Sequence, residues 1–221
     1  MNNTKNLNMD FDKRVVIQTE QMDWHASPSI SVFRKPLARA NQESGHATSI
    51  VKYVKGASFE KHAHPKGEEI LVLDGIFSDE YGDYPQGSYI RNPPGTSHSP
   101  FSKDGCTLLV KLHQFQSSDK EKLVINTNIA QWHQGIGGLK VMPLHNHIHE
   151  NAALVKWPKN EVFQAHNHLG GEEIYVIKGA FQDQYGKYPK GTWIRSPHNS
   201  QHTPFVEEET IIWVKTGHLL V

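Results

Sequence analysis

Residues 62–75 read HAHPKGEEILVLDG, and residues 166–179 read HNHLGGEEIYVIKG. His62, His64 and Glu68 return as His166, His168 and Glu172, each displaced by 104 positions. A cluster that recurs at fixed mutual spacing constrains the fold more than local propensity does, because the chain must build one unit twice. The repeat reaches well beyond the cluster. VIQTEQMDWH at 16–25 matches VINTNIAQWH at 124–133 with a shift of 108, and GIFSDEYGDYPQGSYIRNP at 75–93 matches GAFQDQYGKYPKGTWIRSP at 179–197 with a shift of 104. Copy one therefore holds about four extra residues, expected in a loop near residues 40–45. This divides the chain into a polar arm (1–15), a first domain (16–115), a linker (116–123) and a second domain (124–221).

Within each copy the period is that of strands. SIVKYV and ALVKW, ILVLDGIF and IYVIKGAF, SYIRNP and TWIRSP, TLLVKLHQF and TIIWVKTG are short and rich in β-branched and aromatic residues. Gly, Pro, Asn or Asp bound them. No segment carries an amphipathic helical stripe, so the expected fold class is all-β, one barrel or sandwich per copy.

Side chains at i and i+2 of a strand share a face, which puts His62 beside His64 and His166 beside His168. Glu68 and Glu172 follow a Gly-containing turn and start the next strand. His98 and His202 follow a Pro-bounded turn at the end of a later one. Three imidazoles and one carboxylate suit a divalent first-row metal with positions left open. A lone H-x-H is a weak signal; four ligand-type residues repeated at the same mutual spacing are a strong one. The alternative is a set of surface histidines kept by descent alone.

At these residues the sequence resembles the cupin superfamily. Its first motif, G-x5-H-x-H-x3-E-x6-G, is matched from Gly56 through His62, His64 and Glu68 to Gly75. Its second, G-x5-P-x-G-x2-H, runs from Gly87 through Pro93 and Gly95 to His98, with Ser102 where the family has Asn. In copy two Asn160 stands for the first Gly and Asn199 for the Gly before His202, both at turn positions that Asn tolerates. The intervening GxFxDxYGxYPxGxxIRxP is similar to the ChrR-like cupin subgroup, named for an anti-sigma factor that senses singlet oxygen. The resemblance implies two tandem cupin (jelly-roll-like) barrels. Each would hold one divalent metal, zinc or iron, with manganese and nickel as alternatives. The implied ligands are His62, His64, Glu68 and His98 in the first barrel, and His166, His168, Glu172 and His202 in the second. The family spacing selects Glu68 and Glu172; Glu69 and Glu173 are then expected to face out of the barrel.

Other repeated residues read as structural. Arg91 and Arg195 are expected to pair with Asp79 and Asp183, the alternative being a substrate carboxylate. Tyr53/Trp157 and Tyr89/Trp193 read as core or pocket wall. His25 and His133 read as strand-to-strand contacts. His145, His147 and His149 have no counterpart in copy one and read as a solvated edge. No Ser/His/Asp or phosphate-loop motif is present.

Charge balances at 23 basic against 23 acidic residues, which offers nothing to nucleic acid or an anionic membrane. Cys106 is the one cysteine, so neither an internal disulfide nor a Cys-rich zinc site can form. No signal peptide or membrane span is evident, and a cytoplasmic protein is expected. The C-x-x-C of the anti-sigma helical domain is missing, so sigma-factor binding is not expected. Two functions remain open: an iron-dependent dioxygenase of small carbonyl or diketone compounds, or a metal-dependent sensor that binds a small molecule. The halves are expected to pack about a pseudo-twofold axis, the arm to lie along a sheet if ordered, and the chain to form a homodimer.

Overall fold

The computed structural model describes residues 6–41 and 45–219. The chain forms two compact units, and both are discontinuous. Unit one comprises Met1–Met9 and Met22–Ala130; unit two comprises Asp10–Gln21 and Gln131–Val221. Among the described residues the regular structure is β throughout, apart from a single 3-10 turn at Thr19–Gln21. No helix among them is long and apolar enough to cross a membrane.

Unit one is built on an antiparallel sheet. Its strand order is Leu123–Asn126, Ser88–Asn92, Glu68–Asp79, Cys106–Leu112, Ala47–Tyr53, Val32–Arg39 and His25–Ala26, with Gly82–Pro85 paired to the far end of Glu68–Asp79. A separate ladder joins His62–Ala63 to Ser97–His98. Period-2 alternation sorts the side chains. Ile70, Val72, Leu108, Val110 and Val32 enter one buried apolar cluster with Tyr53, Phe77 and Ile90. Each such aliphatic side chain contributes about 1.5–3 kcal/mol by leaving water.

Unit two repeats the plan with Val15–Gln18, Thr192–Ser196, Glu172–Lys178, Thr210–Thr216, Glu150–Trp157, Lys140–His147 and His133–Gln134. Ladders join His166–His168 to Ser200–His202 and Ala180–Asp183 to Gly186–Pro189. Trp157, Phe181, Ile174, Val176 and Ile212 fill its core.

The division differs from contiguous halves at the edge strands. Val15–Gln18, which opens the first sequence repeat, pairs with Thr192–Ser196 in unit two. Its counterpart Leu123–Asn126, at the start of the second repeat, pairs with Ser88–Asn92 in unit one. Each edge strand thus satisfies its backbone groups in the unit that the other copy builds. Part of the arm is ordered too: Leu7 bridges to Arg39. Residues 1–5 lie outside the described set.

Strand register also locates the length difference between the copies. Arg39 and Ala47 are paired across eight positions, while the equivalent pair Asn146 and Asn151 spans five. Three of the four extra residues therefore sit in that hairpin. The fourth lies between the short first strand and the next, since His25 pairs with Arg34 but His133 with Val141. On this register His145 is the counterpart of Ala38, not of residue 41.

The two Asn-for-Gly replacements in copy two fall where the backbone turns left-handed. Asn160 has φ 64° and Asn199 has φ 59°, matching Gly56 at 76° and Gly95 at 94°. Asn enters this region more readily than other non-glycine residues, so the turns survive.

Candidate metal centres

In unit one the four residues singled out by spacing converge. Ligand atoms of His62, His64, Glu68 and His98 lie within 4.8 Å of one another. The ring centroids are 5.2, 4.9 and 4.7 Å apart for His62–His64, His62–His98 and His64–His98. Glu68 Oε2 lies 3.3 Å from His64 Nε2 and 3.4 Å from His98 Nε2.

Outer hydrogen bonds fix which nitrogen faces the centre. His62 Nδ1 donates to the Glu60 carbonyl at 2.9 Å. His98 Nδ1 donates to Asp79 Oδ2 at 3.2 Å. Thr96 gives its hydroxyl proton to the Pro93 carbonyl at 2.8 Å, so at 2.9 Å it can only accept from His64 Nδ1. In its neutral form each ring therefore carries its proton on Nδ1 and turns the Nε2 lone pair inward. His64 Nε2 and His98 Nε2 are buried and have no hydrogen-bond partner. They face Glu68 Oε2, whose other neighbour, Asn92 Nδ2, donates at 3.1 Å. Lone pairs facing a carboxylate at this range repel unless a cation lies between them. The residues fit a divalent metal.

Electrostatics agree. Burial pushes His64 down to about 4, keeping it neutral and able to ligate near pH 7. For His98 burial works downward too, but the hydrogen bond to Asp79 and the charge of Glu68 outweigh it and leave the ring raised. Asp79 itself is held below the usual carboxylate range: burial opposes this, but the bonds from His98, Tyr81 N and Tyr84 prevail.

Unit two keeps its three rings as close, at 4.6, 4.7 and 4.8 Å between centroids, but holds its carboxylate further off. His166, His168 and His202 bring their ligand atoms within 4.8 Å, and Glu172 is not in that set. Glu172 Oε2 lies 3.5 Å from His168 Nε2 and 3.8 Å from His202 Nε2, without a hydrogen-bond partner. Two exchanges account for this. Ser196 replaces Asn92 and supplies no amide donor. Ser200 replaces Thr96, and its hydroxyl is buried without a partner. Asp183 stands 3.6 Å from His202 Nδ1, against 3.2 Å in unit one, and is shared with Arg14 at 3.0 Å and Tyr188 at 2.7 Å.

Burial pushes the Glu172 carboxyl up to about 7. A dication must displace that proton, so metal binding by unit two should strengthen as pH rises to about 7 and then level off. Titration of a His64→Ala chain, with unit one silenced, checks this; Glu172→Gln should remove both the slope and most of the affinity.

Several expectations need correction. Arg91 and Arg195 do not pair with Asp79 and Asp183, which serve the histidines. Arg91 lies between Glu69 (3.4 Å) and Asp119, with its guanidinium 4.0 Å over the Phe115 ring. Arg195 bonds the Asp10 carbonyl at 2.9 Å and lies over Phe11. His145 is not solvated but buried, because a bulge between Pro143 and His145 turns it away from water. His147 is half-buried with its ring stacked on that of His145 at 6.4 Å, whereas His149 is exposed in the turn beyond the strand, so only the first two share a face. His25 and His133 are exposed, paired through their backbones alone. Tyr89 is fully buried, as expected of a core residue, and its hydroxyl donates to Glu69 Oε1 at 2.7 Å. Spacing missed Asp79, Thr96 and Asn92, although the aspartate was visible in the repeated DxYGxYP.

Glu69 does face away from the centre, but it is buried among Tyr89, Arg91 and Asp119. Glu68→Gln is therefore expected to lower metal affinity of unit one at least about tenfold with little change in melting. Glu69→Gln should do the reverse. Metal titration beside thermal melting separates the two.

A cavity of about 380 Å³ adjoins the unit-one cluster, walled by Val51, Tyr53, Ile70, Phe77, Leu108 and Val110. In unit two a cavity of about 300 Å³ lies beside His202, lined by Arg14, Asp183, Tyr185 and Gln201 among others.

Comparison with known proteins places these centres in a family. The model of the ChrR Cupin-like domain matches twice, at residues 12–116 and 120–220. Among solved structures, a candidate dioxygenase from Nostoc punctiforme is 14% identical with a TM-score of 0.76, covering 95% of this chain and 85% of that one. Protein Ylba from E. coli is 12% identical with a TM-score of 0.73, over 96% and 94%. The oxalate decarboxylase of Lactobacillus farciminis, in complex with formate, is 15% identical with a TM-score of 0.65, over 93% and 86%. At these identities the likeness shows the fold alone. Comparison with curated protein sequences returns no match. With both copies matched over almost their whole length, the chain belongs to the ChrR cupin-like family as a tandem pair of cupin barrels.

Proposed function

We propose that unit one is a mononuclear divalent-metal centre that binds a small oxygen-bearing molecule in its cavity, and that it acts as a dioxygenase of small carbonyl or diketone compounds with iron as the metal. The observation that carries this is the convergence of three inward Nε2 lone pairs and the Glu68 carboxylate beside an apolar cavity of about 380 Å³. Four ligands from one side leave coordination positions free, and a set without thiolate is not that of a Cys-rich structural zinc site. Iron(II) held there would supply the electron transfer to O2 that no side chain can. The protein binds and orients the substrate and keeps water from it. Val51, Ile70, Leu108 and Val110 exclude solvent, while Asp79, Thr96 and the Glu60 carbonyl hold the rings at fixed tautomer. We propose a second, weaker metal site in unit two, formed by His166, His168, His202 and Glu172.

Protein purified without added metal, assayed for metal content and then for O2 uptake with acetylacetone and aromatic diketones, tests this. Iron with uptake is expected. Zinc without uptake would overturn the oxygenase reading and favour a metal-dependent binding or sensor module.

A further inference from the structure

Unit one carries a fourth histidine at its cavity, outside the repeated ligand set. His113 lines the cavity together with His62, His64, Glu68 and His98. It follows Leu112, which pairs with Glu68 and also lines the cavity. Successive residues of a strand point to opposite faces, so a continued strand would carry His113 away. The backbone instead turns left-handed here, with φ 59°. His113 N donates to the Gly67 carbonyl at 3.0 Å, one residue before the proposed carboxylate ligand. The turn thereby returns the side chain to the ligand end of the cavity, where a positive charge on its ring would be felt at His64.

The fold accounts for the turn but not for the histidine. Gly217 holds the equivalent place in unit two, one residue after Thr216, which pairs with Glu172. Its φ is 77°, and a Cβ there would lie 1.8 Å from the His149 carbonyl oxygen. Both units need a left-handed residue at this point, which glycine adopts without the steric strain that a β-carbon brings. Unit one bears that strain and places an imidazole at the cavity. Such strained positions gather at functional sites. His113 is half-buried, and its ring makes no hydrogen bond among the described residues. Burial, and then the charge of Lys66, push the ring below the usual histidine value, so near pH 7 it is neutral with one nitrogen lone pair open to a ligand.

We propose that His113 is the base of unit one, taking a proton from a 1,3-dicarbonyl ligand whose two oxygens face the cluster of His62, His64, Glu68 and His98. The bond that breaks is the C–H between the two carbonyls, or the O–H of the enol form. Its electron pair stays on the ligand and spreads over both oxygens, while the proton goes to the free nitrogen of His113. From the half-buried ring the proton passes to water. The step needs no oxidant, and the anion left behind is favoured by a dication held at the cluster. The ligand class rests on the metal centre and the dioxygenase reading proposed above; His113 narrows it to compounds with an acidic hydrogen between two carbonyls. A cavity near the lower end of the roughly 300–1,000 Å³ common for ligand pockets suits a short diketone.

Stopped-flow ultraviolet spectroscopy of the zinc-loaded full chain, which consumes no O2, tests this by following enolate formation from acetylacetone. The variants are His113→Asn and His113→Gly, since both new residues adopt positive φ. Enolate should form at least about a hundredfold more slowly in each variant. Zinc content should be unchanged, and so should calorimetric affinity for 3,3-dimethylpentane-2,4-dione, which has no hydrogen between its carbonyls. His113→Gly should melt no lower than the parent, because it relieves the left-handed strain. Equal rates in parent and variants, or no enolate in the parent, would overturn the proposal. Lower melting with loss of zinc in His113→Gly would make the residue structural and overturn it too. O2 uptake by the iron form separates the two readings. Enolate formation that depends on His113, without O2 uptake, keeps the base and overturns the oxygenase. O2 uptake with enolate formation indifferent to His113 does the opposite.

Discussion

Arg91→Met should destabilise unit one by about 3–5 kcal/mol, which for a unit of this size lowers its melting temperature by roughly 10 °C or more. Arg91 is fully buried between Glu69 and Asp119, themselves 3% and 2% exposed at their side chains. Methionine fills much of the space over Phe115 but removes the guanidinium that the buried Glu69 and Asp119 carboxylates share. Removing one member of such a group costs more than the group as a whole contributes, because the remaining charges cannot recover their hydration. The folded variant should keep its metal, since His62, His64, Glu68 and His98 lie on the other face of the sheet. Calorimetric melting at matched metal content is the check. A loss below about 1 kcal/mol would mean that water reaches the cluster.

His64→Ala is expected to empty unit one and leave unit two as it was. The ring is held by Thr96 and aims Nε2 at Glu68 and His98, so its removal opens the middle of the ligand set. Removing an outer partner of a ligand typically costs 10–100-fold in affinity, and loss of a ligand itself should exceed about a hundredfold. The metal content retained after desalting should fall by the unit-one share, with a separate tight class absent from titration. Full retention would show that His64 is not a ligand.

Much of this was legible in the sequence because alternation and repetition are local signals. HxH followed by Glu68 fixed the face of each ligand, and Glu69, one residue on, necessarily took the other. Asn160 and Asn199 could be read as turn residues because few other side chains adopt positive φ. What escaped depends on pairing across long separations. No local pattern says that Val15–Gln18 pairs with Thr192–Ser196. Nor could spacing show that Asp79 supports His98 and leaves Arg91 to Glu69 and Asp119. His113 was invisible as a cavity residue, since simple alternation sets it opposite Leu112 and only the left-handed turn brings it back. A bulge in copy two buries His145, which had read as a solvated residue.

The central claim is that unit one holds a divalent metal through His62, His64, Glu68 and His98. Anomalous diffraction from a crystal of the full chain, recorded above and below the absorption edge of the metal found by elemental analysis, tests it most directly. The account predicts a peak bounded by the Nε2 atoms of the three histidines and by Glu68 Oε2, with a second, weaker one among His166, His168 and His202. A fully metallated crystal whose anomalous peak lies elsewhere, with water or nothing between His64 Nε2 and Glu68 Oε2, would contradict it.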